Sequence, residues 1–147
     1  MKKLTALFLA LLMLVSMCAC ASPASTEDDA YQAKVALCLV TPVNDGAWSQ
    51  LAYDAVMKAK DTYNISVKYT ENIKPTEMEA VFTDYASQGY DLIIGHSFSF
   101  GDAALAVAER YPDTKFIVID GTVSSENVAS YTLKMQAVSY THLTLPT

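Results

Sequence analysis

The feature that most constrains the fold is a run of six consecutive apolar residues, 35–40, followed at once by a polar loop. The run is too short to cross a membrane, and its length is typical of a strand that is buried on both faces. Residues 41–46 interrupt the run, and a helical pattern then begins near Trp48. The order of strand, loop and helix predicts the first part of a βαβ unit.

Similar short apolar runs recur along the chain, and a helical pattern separates each run from the next. Strands are predicted to start near residues 35, 65, 92 and 116, with a fifth near 128. Because these intervals match one βαβ unit, they favour a parallel sheet with right-handed crossovers. The predicted fold class is therefore α/β, with a Rossmann-like parallel sheet.

Apolar residues at spacings of three and four mark the helices that connect these strands. The first helix is predicted to run from Trp48 to Asn64, with Leu51 and Tyr63 among the residues of its buried face. The second helix is predicted to start at a capping box, in which Thr76 caps the helix and Glu79 lies three residues on. Each helix is thus expected to pack one apolar face on the sheet.

Three loops leave carboxyl ends of predicted strands, and they are therefore expected at one edge of the sheet, where open α/β sheets bind ligands. These loops, 41–47, 95–101 and 120–124, carry polar and aromatic side chains suited to a polar, partly planar ligand. The candidate ligand-binding residues are Asn44, Asp45, Trp48, His96, Ser97, Phe98 and Asp120. A purely structural alternative exists for the first loop, in which Asp45 caps the helix and Trp48 packs in the core.

The sequence lacks the motifs of several other functions. It has no Gly-x-Gly-x-x-Gly motif and no phosphate-binding loop, so that no nucleotide cofactor is predicted. No pair of cysteines or histidines has metal-ligand spacing, and Ser97 lacks the context of a catalytic nucleophile. We therefore predict no metal, no catalytic residue and no enzyme activity. The formal net charge of −6 argues against nucleic-acid binding.

The start of the chain has the pattern of a secretory signal peptide. Two lysines precede an apolar stretch, small residues follow, and residues 1–19 are interpreted as the signal. Cys20, preceded by Ala19, matches the cysteine that receives lipid in bacterial lipoproteins, and an ordinary secretory signal is the alternative. Residues 20–33 are small, polar and acidic, which is typical of a flexible tether. The protein is thus expected at the extracytoplasmic face of the cell membrane, held by a lipid anchor.

The end of the chain departs from these patterns. Residues 138–147 match one reading frame of the transposon-adapter DNA that is used to prepare sequencing libraries. We interpret residues 137–147 as an artefact of that adapter and exclude them from the fold. The genuine chain would then stop near residue 136, in the middle of a domain.

Two stretches resemble the basic membrane protein family, the purine nucleoside receptor A-like substrate-binding lipoproteins of ABC transporters. One is KVALCLVTPVNDGAW, and the other is DYASQGYDLIIGHSFSFGDAALAVAERYPDTKFIVIDG, with its Gly-Tyr-Asp-Leu-Ile and Tyr-Pro-Asp-x-x-Phe segments. The similarity runs from about residue 34 to residue 136. It implies the first lobe of a type I periplasmic-binding-protein fold, truncated before the second lobe.

This resemblance implies an extracytoplasmic solute-binding lipoprotein of an ABC importer, whose partners are a small-molecule ligand and permease subunits. Many family members bind nucleosides, with an aromatic ring on the base and carboxylates on the ribose. Trp48 occupies the place of that ring, although it is bulkier than the phenylalanine common there. A ligand sensor of the same fold that acts in signalling is the alternative. An extracytoplasmic enzyme such as a nucleoside hydrolase is disfavoured because no nucleophile or activated water can be assembled.

Overall fold

The computed structural model describes residues 31–134, and the predicted signal peptide, most of the tether and the tail lie outside them. The strands and helices are β1 (Lys34–Cys38), α1 (Trp48–Tyr63), β2 (Ser66–Thr70), α2 (Met78–Ser87), β3 (Leu92–Gly95), α3 (Gly101–Ala108), β4 (Lys115–Ile119) and β5 (Val128–Tyr131). Short 3-10 turns, Pro75–Glu77 and Phe98–Phe100, lead into α2 and α3. Over this part of the chain, no helix is long and apolar enough to cross a membrane.

The described strands form one parallel sheet in the order β2-β1-β3-β4-β5. In its register, Cys38 of β1 lies opposite Thr70 of β2 and Gly95 of β3. The predicted α/β fold with a parallel sheet is therefore confirmed. From β1 the chain steps to β2 on one side, and β3 then pairs with β1 on the other side. The topological switch point of the sheet consequently lies between β1 and β3.

The main hydrophobic core lies between the sheet and the helices α2 and α3, because right-handed crossovers place these two helices on the face opposite α1. Phe82 of α2, Phe100 before α3 and Phe116 of β4 are at most 1% exposed. The ring centroid of Phe82 lies 5.3 Å from that of Phe100 and 5.9 Å from that of Phe116. Aromatic groups of this size dominate core packing, and Phe82 and Phe100 pack against Gly95 at the carboxyl end of β3.

Gly95, the last residue of β3, makes room for this core. A β-carbon at position 95 would lie 2.6 Å from Cβ of Phe100 and 3.0 Å from Cζ of Phe82. Contacts this short force neighbouring groups to shift. Glycine therefore allows Phe100 to close over the end of β3, and this sets the path of the loop that begins at His96.

The buried face of α1 differs from the predicted one. The helix has the predicted bounds within one residue, but Leu51 is 70% exposed and Tyr63 is 64% exposed. Ser49 is fully buried instead, and its hydroxyl group forms a 2.6 Å hydrogen bond with the hydroxyl group of Thr41. A polar residue thus turns inward because the loop before the helix supplies its partner.

The predicted capping box at α2 is wrong as well. Glu77, not Glu79, accepts a backbone hydrogen bond at this helix start, from the N–H of Lys74 to Oε2 at 3.2 Å. Glu79 instead accepts a hydrogen bond from the guanidinium group of Arg110 at 3.0 Å. The 3-10 turn before α2 shifts the capping position by two residues, and Glu79 lies within reach of Arg110, which follows the end of α3.

Candidate functional site

The carboxyl ends of β1 and β3 bring two of the predicted loops together. The loop after β1 leads into α1 at Trp48, and the loop after β3 begins at His96. These two residues are 48 positions apart, yet their rings stack with centroids 4.3 Å apart and an interplanar angle of 25°. Because β1 and β3 flank the switch point, the pair lies where open α/β sheets bind ligands.

Two reciprocal hydrogen bonds join the same two residues. The indole Nε1–H of Trp48 donates to the carbonyl oxygen of His96 at 3.1 Å. Nε2 of His96 lies 3.0 Å from the carbonyl oxygen of Trp48. A carbonyl oxygen can only accept, so Nε2 of His96 carries the proton and donates. We call this stacked and hydrogen-bonded pair the Trp48–His96 latch, and it ties the start of α1 to the end of β3.

His96 is neutral in this position. Its side chain is 8% exposed, and burial lowers the pKa of His96 from its ordinary value of 6.5. The hydrogen bond to Trp48 and the charge of Asp45 act in the opposite direction, but burial outweighs them. At neutral pH the imidazole therefore has its proton on Nε2 and a lone pair on Nδ1.

Asp45 holds the loop after β1 in place. Its Oδ1 accepts hydrogen bonds from the N–H groups of Ala47 and Gln50, and its Oδ2 accepts from the Ser49 N–H and the Thr41 hydroxyl group. The N–H of Ser49 contributes most to lowering the pKa of Asp45, followed by that of Ala47. These four bonds fill the lone-pair positions of the carboxylate.

The geometry thus supports the structural alternative for Asp45, which satisfies N–H groups in the first turn of α1. Its predicted contact with a ligand stays a prediction, and such a contact would require one of these bonds to open. Neighbouring Asn44 is exposed and is the freer polar side chain of this loop. A residue that the sequence analysis missed, Glu71, also holds the loop, because its Oε2 accepts from the N–H of Val43 at 2.7 Å. No pattern in the sequence marks this long-range contact.

The loop after β3 is ordered by its own side chains. Ser97 is 9% exposed, and its hydroxyl oxygen accepts from the N–H of Ser99 at 3.3 Å. This bond caps the 3-10 turn that follows. The side chain of Phe98, by contrast, is 69% exposed. Of these two predicted site residues, Ser97 stabilises the loop and Phe98 offers an aromatic surface.

A second group of predicted residues lies between the loops after β3 and β4. These loops border an open cavity of about 480 Å³, lined by Phe98, Ser99, Gly101, Asp102, Asp120, Gly121, Thr122 and Val123. Asp120 adopts a left-handed backbone conformation, with φ of 59°. The structure therefore divides the predicted site into two adjoining parts of one sheet edge, the Trp48–His96 latch and the cavity with Phe98 and Asp120.

The cavity contains polar residues that the sequence analysis missed. Asp102 lies in the first turn of α3, directly after the predicted loop 95–101, and Ser99 and Thr122 belong to the loops themselves. A signal for Asp102 was present, since the first turn of a helix that follows a strand faces the same carboxyl edge as the loop. Across residues 31–134, no group of three or more His, Cys, Asp or Glu side chains is placed to hold a metal ion. The chemistry of this edge is hydrogen bonding and stacking.

Comparison with known proteins assigns the chain to a family. Residues 32–142 match the family described as ABC transporter substrate-binding protein, PnrA-like. The match reaches into the stretch that we interpret as adapter-derived, and that interpretation stays a prediction.

Two relatives carry names that state a ligand. A protein of Haloferax volcanii named as the ABC transporter glucose-binding protein TsgA13 is 37% identical over 94 residues, which are 63% of this chain and 24% of the relative. The ABC transporter nucleoside-binding protein BmpA of Lactococcus lactis is 25% identical over 103 residues, which are 67% of this chain and 29% of the relative. The chain thus spans less than a third of the length of either relative.

A solved structure supports the same assignment. The ABC transporter solute-binding protein of Conexibacter woesei is 29% identical and superposes with a TM-score of 0.62, covering 67% of this chain and 34% of that protein. The described sheet is accordingly part of a solute-binding fold, and the matched family is one of binding proteins rather than enzymes. This chain belongs to the PnrA-like, or basic membrane protein, family of ABC transporter substrate-binding proteins.

Proposed function

We propose that this chain forms the first lobe of an extracytoplasmic solute-binding protein that delivers a small molecule to the permease subunits of an ABC importer. The observation that carries the proposal is the Trp48–His96 latch at the switch point of a sheet that belongs to this family. The switch point of an open α/β sheet is where ligands bind, and the latch offers both an aromatic ring and polar atoms there.

The ligand we propose is a nucleoside or a related polar heterocycle. Trp48 supplies a ring for a flat base, and such an aromatic contact contributes about 0.5–1.5 kcal/mol beyond the buried area. Asp120, in the adjoining cavity, can accept hydrogen bonds from hydroxyl groups. The relatives' names point to a nucleoside in one protein and to glucose in another. Both ligands carry ring hydroxyl groups, whereas only the nucleoside has a planar heterocycle.

The other predicted residues have two kinds of role in this proposal. Asn44 contacts the ligand through its exposed amide, and Phe98 contributes an exposed ring at the cavity. Asp45 and Ser97 act mainly through the backbone, because their hydrogen bonds fix the loops that carry the contacting residues.

Calorimetric titration of the full-length gene product with adenosine, uridine and glucose tests the proposal. We expect saturable binding of a nucleoside, which Trp48→Leu weakens by about tenfold because it removes the stacking ring. Arg110→Ala, on the far face of the sheet, is the control and should leave the affinity unchanged. The 147-residue chain alone should bind little, since a two-lobed receptor encloses its ligand between both lobes. If glucose binds and neither nucleoside does, the ligand is a sugar and the proposal of a heterocycle is wrong.

We also propose a lipid anchor at Cys20, based on the sequence pattern around it. Mass spectrometry of the mature N-terminus should find a diacylglyceryl cysteine at this position. A mature protein that begins at another, unmodified residue would contradict the anchor and leave an ordinary secreted protein.

A further inference from the structure

The second ring nitrogen of His96 has no partner in the described part of the chain. Nε2 donates to the Trp48 carbonyl oxygen, and none of residues 31–134 forms a hydrogen bond with Nδ1. Within the same residues, every fully buried side-chain nitrogen or oxygen has a hydrogen-bond partner. Since Nδ1 has none there, it must reach the protein surface, although the side chain as a whole is only 8% exposed.

The latch also fixes the chemical character of Nδ1. A neutral histidine in water exchanges between two tautomers, but only the form with its proton on Nε2 places a donor opposite the Trp48 carbonyl oxygen. The stack on the indole ring and the bond from the His96 N–H to the Cys38 carbonyl oxygen, at 2.9 Å, hold the ring and its backbone. Nδ1 is therefore a pre-oriented acceptor.

This acceptor lies at the edge of the sheet that binds ligands in open α/β folds. His96 directly follows Gly95, which pairs with Cys38 of β1 beside the switch point. A pre-oriented acceptor discriminates strongly once a ligand covers it, because a ligand without a donor displaces water from Nδ1 and leaves its lone pair unpaired.

We propose that Nδ1 of His96 determines specificity by accepting a hydrogen bond from an N–H or O–H group of the ligand beside the Trp48 ring. This inference rests on the proposed binding function. It adds a requirement to that function, since a ligand must present a donor next to its stacked ring. A ligand that presents an acceptor there binds on the order of tenfold more weakly.

Two amide variants separate this role from a purely structural one. In His96→Asn the amide oxygen can take the place of Nδ1, whereas in His96→Gln the amide N–H₂ can take the place of Nε2–H and donate to the Trp48 carbonyl oxygen. A third variant, His96→Phe, keeps a ring for the stack but removes both nitrogens. Calorimetry on the full-length gene product with adenosine and uridine measures the affinity of each variant.

If Nδ1 contacts the ligand, His96→Asn loses less affinity than His96→Gln, and His96→Phe loses about tenfold or more. If His96 only holds Trp48 in place, the order is reversed, with His96→Gln close to the wild type. Equal losses in both amide variants, or wild-type affinity in all three, also overturn the inference. When the wild-type protein binds neither nucleoside, the proposed function fails before the variants are compared, so the two failures are distinguishable.

Discussion

A double-mutant cycle on the Trp48–His96 latch tests the architecture of the site. Trp48→Leu removes the indole N–H that bonds to the His96 carbonyl oxygen, and His96→Leu removes the Nε2–H that bonds to the Trp48 carbonyl oxygen. Each hydrogen bond contributes about 0.5–1.5 kcal/mol, and the ring stack contributes about 0.5–1.5 kcal/mol more. Each single substitution should therefore lower the free energy of unfolding by about 1–3 kcal/mol.

The cycle isolates the stack from the hydrogen bonds. Each side chain donates to the backbone of the other residue, and that backbone remains in both variants. Only the ring contact is lost jointly, so the coupling energy should be about 0.5–1.5 kcal/mol. Urea unfolding followed by far-UV circular dichroism is the appropriate assay, because Trp48 is the only tryptophan in the chain and fluorescence is lost with it.

A matched control pairs Trp48→Leu with Arg110→Ala, which breaks the ion pair with Glu79 on the other face of the sheet. These two effects should add within about 0.3–0.5 kcal/mol. If the effects of Trp48→Leu and His96→Leu add equally well, the two rings do not interact in the folded protein, and the stacked arrangement of the latch is refuted.

Three further predictions concern the residues around the latch. Because backbone hydrogen bonds lower the pKa of Asp45, this carboxylate stabilises the fold fully above its unfolded pKa, near 3.8, and the stabilisation is lost as the pH falls further. Below that pH, the free energy of unfolding should therefore depend less steeply on pH in Asp45→Asn than in the wild type. Equal slopes would contradict the capping role. Gly95→Ala should lower the free energy of unfolding by about 1–3 kcal/mol, because the added β-carbon would lie 2.6 Å from Cβ of Phe100. Gly101→Ala is the control in the same urea titration and should have a smaller effect, because its added β-carbon would lie 3.2 Å from its nearest neighbour, a methyl group of Val123. Burial raises the pKa of the Cys38 thiol, so that a thiol reagent should modify Cys38 only in denaturant, and rapid modification of the native protein would show that β1 is accessible.

The fold could be predicted from the sequence because a parallel sheet buries both faces of its strands. Such strands are continuous apolar runs, as in residues 35–40, and their spacing indicates the crossovers between them. The predicted strand near residue 128 is also present, as β5. These features depend on local composition, which a single sequence contains.

The orientation of α1 and the start of α2 could not be predicted, because each depends on a contact outside the helix. Ser49 is buried because its hydroxyl group forms a hydrogen bond with Thr41. The helix face that carries Leu51 is exposed instead. Glu79 has the spacing of a capping residue but pairs with Arg110, in the turn that follows α3. Hydrophobic periodicity contains no information about either partner.

The candidate site was predicted as a set of residues but not as an arrangement. Topology alone places the loops after β1 and β3 at one edge, and for that reason the sequence predicts both Trp48 and His96 as site residues. That the two residues stack and exchange hydrogen bonds depends on the strand order, which puts β3 directly beside β1. The full set of bonds to Asp45 likewise depends on how tightly the loop turns, and this is a property of the folded backbone.

The fluorescence of Trp48 during nucleoside titration tests most directly whether the ligand binds beside the latch. Trp48 is the only tryptophan of the 147 residues, and the difference in emission between the full-length protein and its Trp48→Phe variant isolates the signal from this position. We predict a saturable change in emission when adenosine or uridine is added to the full-length gene product, with the same midpoint as the calorimetric titration. Calorimetric binding that leaves the emission of Trp48 unchanged would contradict a site at the switch point.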